Sequence, residues 1–361
     1  MGWIEKLKLI KDRIFGTKPK MLNAPEKNEN TNITKVDLNM PKTNIDIPKT
    51  IEKYKINYQI NPNTPESAIE QYLMALLYRR KNNDNINSYG ALTDLGGLQD
   101  QKNPGKNPEN EKIVLNKIRR DRRYSIQEQK SRNGEVDFYH IFKGKHGKTV
   151  NRLYLNCKRE NVAVLANELL KELENTDSYY FKFDSDTQMQ KKSRPEKFVF
   201  YLSDNPIETR NVITAIERIK QRNPRLFDGS KSVSPFLNTI NGNIMYAKEP
   251  TSDKYIGIDG RITKIAKSYN SLLAAALNDC YYTSISDIVA KDYYLASKTQ
   301  GMKYDDSMAY TLFALEDVLE DSFKKKQLIE GMKNKLQICM KNNPVLDIKG
   351  MNKTPREPEG R

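Results

Sequence analysis

"SYYFKFDSDTQMQKKSRPEKFVFYLSD", residues 178 to 204, holds two aromatic runs separated by a basic loop with a proline. Both "SYYFKFD" and "KFVFYLS" alternate and are rich in the residue types that fit a pleated surface, so the stretch reads as two β-strands. A lysine, Lys182, stands in the middle of the first strand. Successive side chains of a strand point to opposite faces. Tyr179, Phe181 and Phe183 therefore share one face, and Tyr180, Lys182 and Asp184 the other. In the second strand Phe198, Phe200 and Leu202 oppose Lys197, Val199, Tyr201 and Ser203.

The same division runs upstream. "EVDFYHIFK" and "TVNRLYLNC" also read as strands, and the latter sets Leu153, Leu155 and Cys157 against Arg152, Tyr154 and Asn156. Between "TVNRLYLNC" and "SYYFKFD", Val162, Leu165, Leu169 and Leu173 make a helical stripe. After "KFVFYLS", Asp204-Asn205-Pro206 caps and starts a helix carrying Val212, Ile216 and Ile219. The order β-β-α-β-β-α predicts an α+β fold: a mainly antiparallel sheet with helices covering one face, plus additional N- and C-terminal helices. Each strand has one apolar and one polar face, and Lys182 and Arg152 share the polar one. That face either meets water or is roofed by loops and by the helix expected after Gly260.

The chain has 361 residues and a net charge of +15, a surface that attracts anions. Lys, Asn and Ile are abundant throughout, which weakens charge as a functional signal. Its three cysteines, Cys157, Cys280 and Cys339, are too few and too scattered for a disulfide framework or a zinc site. No apolar run is long enough to cross a bilayer and no secretory signal is evident, so the expected compartment is the cytoplasm, with export by a non-classical route left open.

Residues 1–16 read as a short amphipathic helix. It can dock on its own domain or make weak contact, through residues 3–15, with a membrane surface, a partner or a secretion chaperone. Residues 17–63, rich in Pro, Asn, Lys and Thr, read as a flexible linker. Thr64-Pro65 then starts a helix, and residues 64–345 are expected to form a single α+β domain whose helical C-terminal part is 283–345, with a flexible tail at 346–361. Residues 81–110 and 223–243 read as loops. "KYIGIDGRITKI" reads as a Gly-containing entry to a helix with Ile262 and Ile265 on its apolar side. That entry would place Arg261 in the first turn as an anion ligand or a routine cap.

Taken in order, "NRLYLN", a helix, "YYFKFDSD", "RPEKFVFYL", "SVSPF" and "IGIDGR" resemble the Hop-A class of type III effectors from plant-pathogenic bacteria. Related domains occur in enzymes of thioamitide and class V lanthipeptide assembly. The resemblance covers roughly residues 120–282, the family-like core. It implies elimination of phosphate from phosphorylated Ser or Thr to leave a dehydroamino acid, without metal or organic cofactor. Lys182 looks like the base, Arg152, Arg194 and Arg261 the phosphate ligands, and Tyr154 and Tyr201 residues that position the peptide. Glu196 stands where the family has aspartate, and Asn156, also on the substrate side, replaces a larger residue.

A lysine can abstract a Cα proton only when part of it is neutral, which burial or nearby cations promote. Arginines would grip the phosphate and offset charge on the leaving group. His140 is a candidate acid, although its phenylalanine neighbours Phe138 and Phe142 suggest the core face; His146 reads as a turn residue. The residues thus fit either a carbon–oxygen lyase, supplied by a kinase partner, or a non-catalytic module that holds a phosphopeptide or acidic protein. Nucleic-acid binding fits the charge but finds no recognition motif.

Overall fold

The computed structural model describes residues 64–81, 90–92, 108–185, 196–227, 234–241, 244–300, 307–348 and 350–351. The expected N-terminal helix and linker and the tail beyond 351 lie outside them. Helix α1 (Pro65–Lys81) begins at its proline, with Thr64 accepting from Ser67 N. Helix α2 (Pro108–Arg120) leads into β1 (Tyr124–Lys130) and β2 (Val136–Lys143), then β3 (Asn151–Leu155), α3 (Val162–Glu172), β4 (Tyr179–Asp184), β5 (Phe198–Leu202) and α4 (Pro206–Arg222). The chain continues through β6 (Asn238–Asn241), β7 (Ile244–Lys248), β8 (Lys254–Ile256) and β9 (Ile262–Lys264). It ends in α5 (Tyr269–Gln300), α6 (Ser307–Glu320) and α7 (Ser322–Asn342).

Strands β1 to β7 form one seven-stranded sheet in the order β1-β2-β4-β5-β3-β7-β6, and each of its pairings is antiparallel. The α+β architecture agrees with the alternation of the four strands read from sequence. Three strands of the sheet escape that reading. β1, "YSIQEQK", is an edge strand whose side chains are all half-buried or exposed, with Tyr124 and Ile126 partly buried against the core. β6 and β7 are short, four and five residues, and β6 falls within the stretch expected to be irregular.

One face of the sheet carries Leu153, Leu155, Phe181, Phe183, Phe198 and Phe200, all buried against α2, α3 and α4. The other face carries Tyr154, Val199, Tyr201, Met245 and Ala247 beneath α1, α5, α6 and α7. Helices therefore lie on both faces. The buried residues of this second layer come from β3, β5 and β7 rather than from β2, and Lys182 on β4 stands near the margin where the cover ends.

"KYIGIDGRITK" corrects the expected helix entry. It is a two-stranded antiparallel hairpin, β8 with β9, and α5 starts only at Tyr269. Gly260 adopts φ +81° and supplies the left-handed residue of the turn, which Gly257 N closes by donating to Arg261 O at 2.8 Å. Ile262, expected on an apolar stripe, is 63% exposed. The hairpin is anchored from the far end of the domain. Asn343, just past α7, accepts from Ile256 N at 3.0 Å and donates to Ile256 O at 2.8 Å, so its amide serves as the missing strand partner.

Candidate functional site

Register places the polar-face residues in two rows across the sheet. One row runs His140, Lys182, Val199, Tyr154, Met245; the next runs Phe142, Tyr180, Tyr201, Arg152, Ala247. His140 therefore lies on the Lys182 face, opposite to the Phe181–Phe200 core. The core-face expectation fails because each face of β2 carries aromatic residues, so neighbours alone do not identify the buried side.

The first row borders a cavity of about 30 Å³, room for a water or two. Lys182, Arg152 and Tyr154 line it, with Asp184, Glu196 and Lys197 from the adjoining ends of β4 and β5. Phe138 and Val199 supply apolar wall, and Ser268 and Asn270 reach in from the start of α5. Asn270 Nδ2 donates to Glu196 Oε1 at 3.5 Å. Asp184, Glu196 and Lys197 are all buried. The wall is thus charge-dense and of mixed sign, with three cationic and two acidic side chains.

The Lys182 ammonium sits 4.0 Å from the centroid of the Phe138 ring, a cation–π contact. Arg152 is held twice by Glu249, its Nε and Nη2 donating at 2.5 and 2.7 Å, and its guanidinium lies 4.8 Å over the Tyr201 ring. Tyr201 stacks on Tyr180 at 4.1 Å, so Arg152 is fixed by both a carboxylate and an aromatic column. Tyr154 is 2% exposed, and its hydroxyl makes no hydrogen bond to any described residue. Burial pushes its phenol well above the usual range, so the group is a proton-bearing donor without an acceptor. Such a buried, unsatisfied hydroxyl costs stability unless something fills its site.

His140 Nδ1 lies 2.7 Å from the Tyr180 hydroxyl and Nε2 lies 3.0 Å from Gln129 Oε1. Gln129 Oε1 can only accept, so Nε2 carries the proton and Nδ1 accepts from Tyr180. Burial, then the charge of Lys182, lowers the His140 pKa to about 4, so at neutral pH the ring is uncharged.

The remaining expected ligands are placed elsewhere. Arg261 lies in the β8–β9 turn, its side chain 88% exposed and its Nε bonded to Asp259, and it does not line the cavity. Asn156 is buried just after β3 and is not among the lining residues. Arg194 lies outside the described residues. His146, expected as a simple turn residue, packs edge-on against Tyr180 at 5.5 Å with Nδ1 3.3 Å from the buried Glu208 carboxylate. Sequence reasoning missed Glu249, Asp184 and Lys197 as members of the site. The alternation of β4 and β5 already put the last two on the Lys182 face; Glu249 needed β7, whose pairing with β3 brings it beside Arg152.

No family model matches the chain, and no curated protein matches it. Solved structures that are similar include two effector proteins. One is an effector protein from Pseudomonas syringae pv. tomato strain DC3000, 9% identical with a TM-score of 0.38, covering 78% of this chain and 98% of that one. The other is an effector protein from Pseudomonas syringae pv. syringae strain 61, 10% identical with a TM-score of 0.40 and the same coverage. Among the described residues, no helix is long and apolar enough to cross a membrane.

Proposed function

We propose that the protein binds a phosphorylated Ser or Thr residue of a peptide at the Lys182 cavity and eliminates its phosphate. The observation that carries this reading is that Lys182, Arg152 and the buried Tyr154 all line one cavity. The Lys182 amine, in its neutral form, takes the Cα proton. The Cα–H electrons become the Cα=Cβ bond, the Cβ–O bond breaks, and phosphate leaves with its negative charge facing Arg152 and the Tyr154 O–H. The space of about 30 Å³ suits a phosphoryl oxygen rather than a whole phosphate, so the ester would enter edge first.

Tyr201 and the neutral His140–Tyr180 pair hold the aromatic column on which Arg152 rests, a positioning role. Arg194, outside the described residues, would add a phosphate contact. The reading requires a kinase partner to make the substrate, and it assigns no role to a metal or organic cofactor, to nucleic acid, or to Arg261.

The test is incubation with phosphothreonine and phosphoserine peptides, read by mass spectrometry as loss of phosphoric acid. Lys182→Ala should reduce that loss by about 100-fold or more. Arg152→Lys should reduce it by about 10-fold, because lysine cannot replace the bidentate fork. A second reading is binding without turnover, of a phosphopeptide or an acidic protein. It is favoured by the hold of Glu249 on Arg152 and by the two acidic side chains in the wall, which leave the site less cationic than a dedicated lyase would need. Tight phosphopeptide binding that Lys182→Ala weakens, with no mass loss, would select it; neither binding nor loss overturns both.

A further inference from the structure

Away from the cavity, α5 and α7 pack with Cys280 Sγ and Cys339 Sγ 3.7 Å apart. Both residues are 0% exposed, and neither is disulfide-bonded. The helices come close beside this pair. One turn further along α5, a Cβ added at Gly331 of α7 would stand 3.2 Å from Ser284 Oγ. A third element meets the pair from β8, where the Tyr255 hydroxyl donates to Asp279 Oδ2 at 2.9 Å and lies 3.2 Å from Cys339 Sγ. The two thiols differ in character. Hydrogen bonding from Cys280 above all holds the Cys339 thiol below its ordinary value, whereas burial pushes Cys280 well above it.

We propose that Cys280 and Cys339 are an oxidisable dithiol that hydrogen peroxide closes to a disulfide, cross-linking α5 to α7. The Cys339 sulfur, as thiolate, attacks one peroxide oxygen; the O–O bond breaks and the leaving oxygen departs as water after taking a proton. Cys339 is then a sulfenic acid. The Cys280 sulfur displaces its hydroxyl group, which leaves as a second water once the Cys280 proton joins it, and the S–S bond forms. Two thiols together lose two electrons, and the peroxide gains them. The sulfurs must close from 3.7 Å to about 2.05 Å, a movement that side-chain rotation across an already tight helix contact can supply. Complete burial keeps the pair from bulk solvent, so a peroxide reaches it only through local opening of the α5–α7 contact.

The bridge would tie residues 59 apart in sequence and restrict the unfolded chain, so the oxidised protein should melt about 5 °C or more higher. The experiment uses the full chain, treated with hydrogen peroxide, quenched with catalase, then unfolded in iodoacetamide and weighed intact. The untreated protein should take up three alkyl groups, one per cysteine. After peroxide it should take up a single group, at Cys157, with the bridged peptide two hydrogens lighter and dithiothreitol restoring all three. Cys157→Ser should still close the bridge. Cys280→Ser should instead leave a Cys339 sulfenic acid, which dimedone traps once the peroxide-treated protein is unfolded in its presence. Three alkyl groups after peroxide, added oxygen in place of lost hydrogen, or a bridge to Cys157 would each overturn the proposal.

Discussion

At the scale of the residue, Lys182 is tolerated in an aromatic strand because period-two alternation turns it away from Phe181 and Phe183, and Phe138 gives its ammonium a π face. Alternation also placed Arg152, Tyr154 and Tyr201 on the same side from sequence alone. It could not find Glu249, because a bidentate partner on β7 becomes visible only once strand order is known. Nor could it decide between two faces for His140 when both carry aromatics. The placement of His140 has a measurable result. Its pKa in the fold is about 4, against 6.5 for an ordinary histidine. Between those values the unfolded chain binds a proton that the folded chain refuses, so stability falls as pH drops through this window and is untouched above it. Urea denaturation of His140→Gln should show a flatter stability–pH curve between about 4 and 6.5; the wild-type slope in the variant would contradict this.

At the scale of the element, the segments with strong caps and stripes were legible. Asn205 caps α4 by accepting from Ile207 N at 3.0 Å; the Asp321 cap of α7, accepting from Phe323 N at 2.9 Å and Lys324 N at 3.1 Å, was not among the segments read from sequence. Asp321→Ala should cost about 1 kcal/mol in chemical denaturation. The β8–β9 hairpin was misread because a glycine-containing turn resembles a helix entry when the strands are only three residues long. Turn geometry also sets a hard limit between β2 and β3. Gly144 adopts φ +62°, and a Cβ there would lie 2.3 Å from the Asp177 carbonyl oxygen, a backbone atom that cannot step aside cheaply. Gly144→Ala should destabilise by about 2 kcal/mol or more, whereas Gly134→Ala, with φ +83° and open space around it, should cost less.

At the scale of the whole molecule, one sheet supports two apolar layers, and the second depends on helices distant in sequence. α7 contributes Leu328, Met332, Leu336 and Cys339 to the layer that also holds Tyr154 and Tyr201, so the far end of the chain packs with residues beside the candidate site. A chain stopped before Ser322 should expose that layer, bind a hydrophobic dye and aggregate. A soluble truncation that unfolds cooperatively at the wild-type midpoint would count against this division of the core. The sequence pattern could not show the second layer, because the strand faces it covers are the ones that carry charge. Asn343 has a temporal consequence. Ribosomes deliver the chain from its amino end, and Ile256 waits 87 positions for the amide that completes its pairing. During synthesis, closure of that contact would therefore wait until Asn343 has emerged, and any product interrupted earlier would carry its hairpin unmoored.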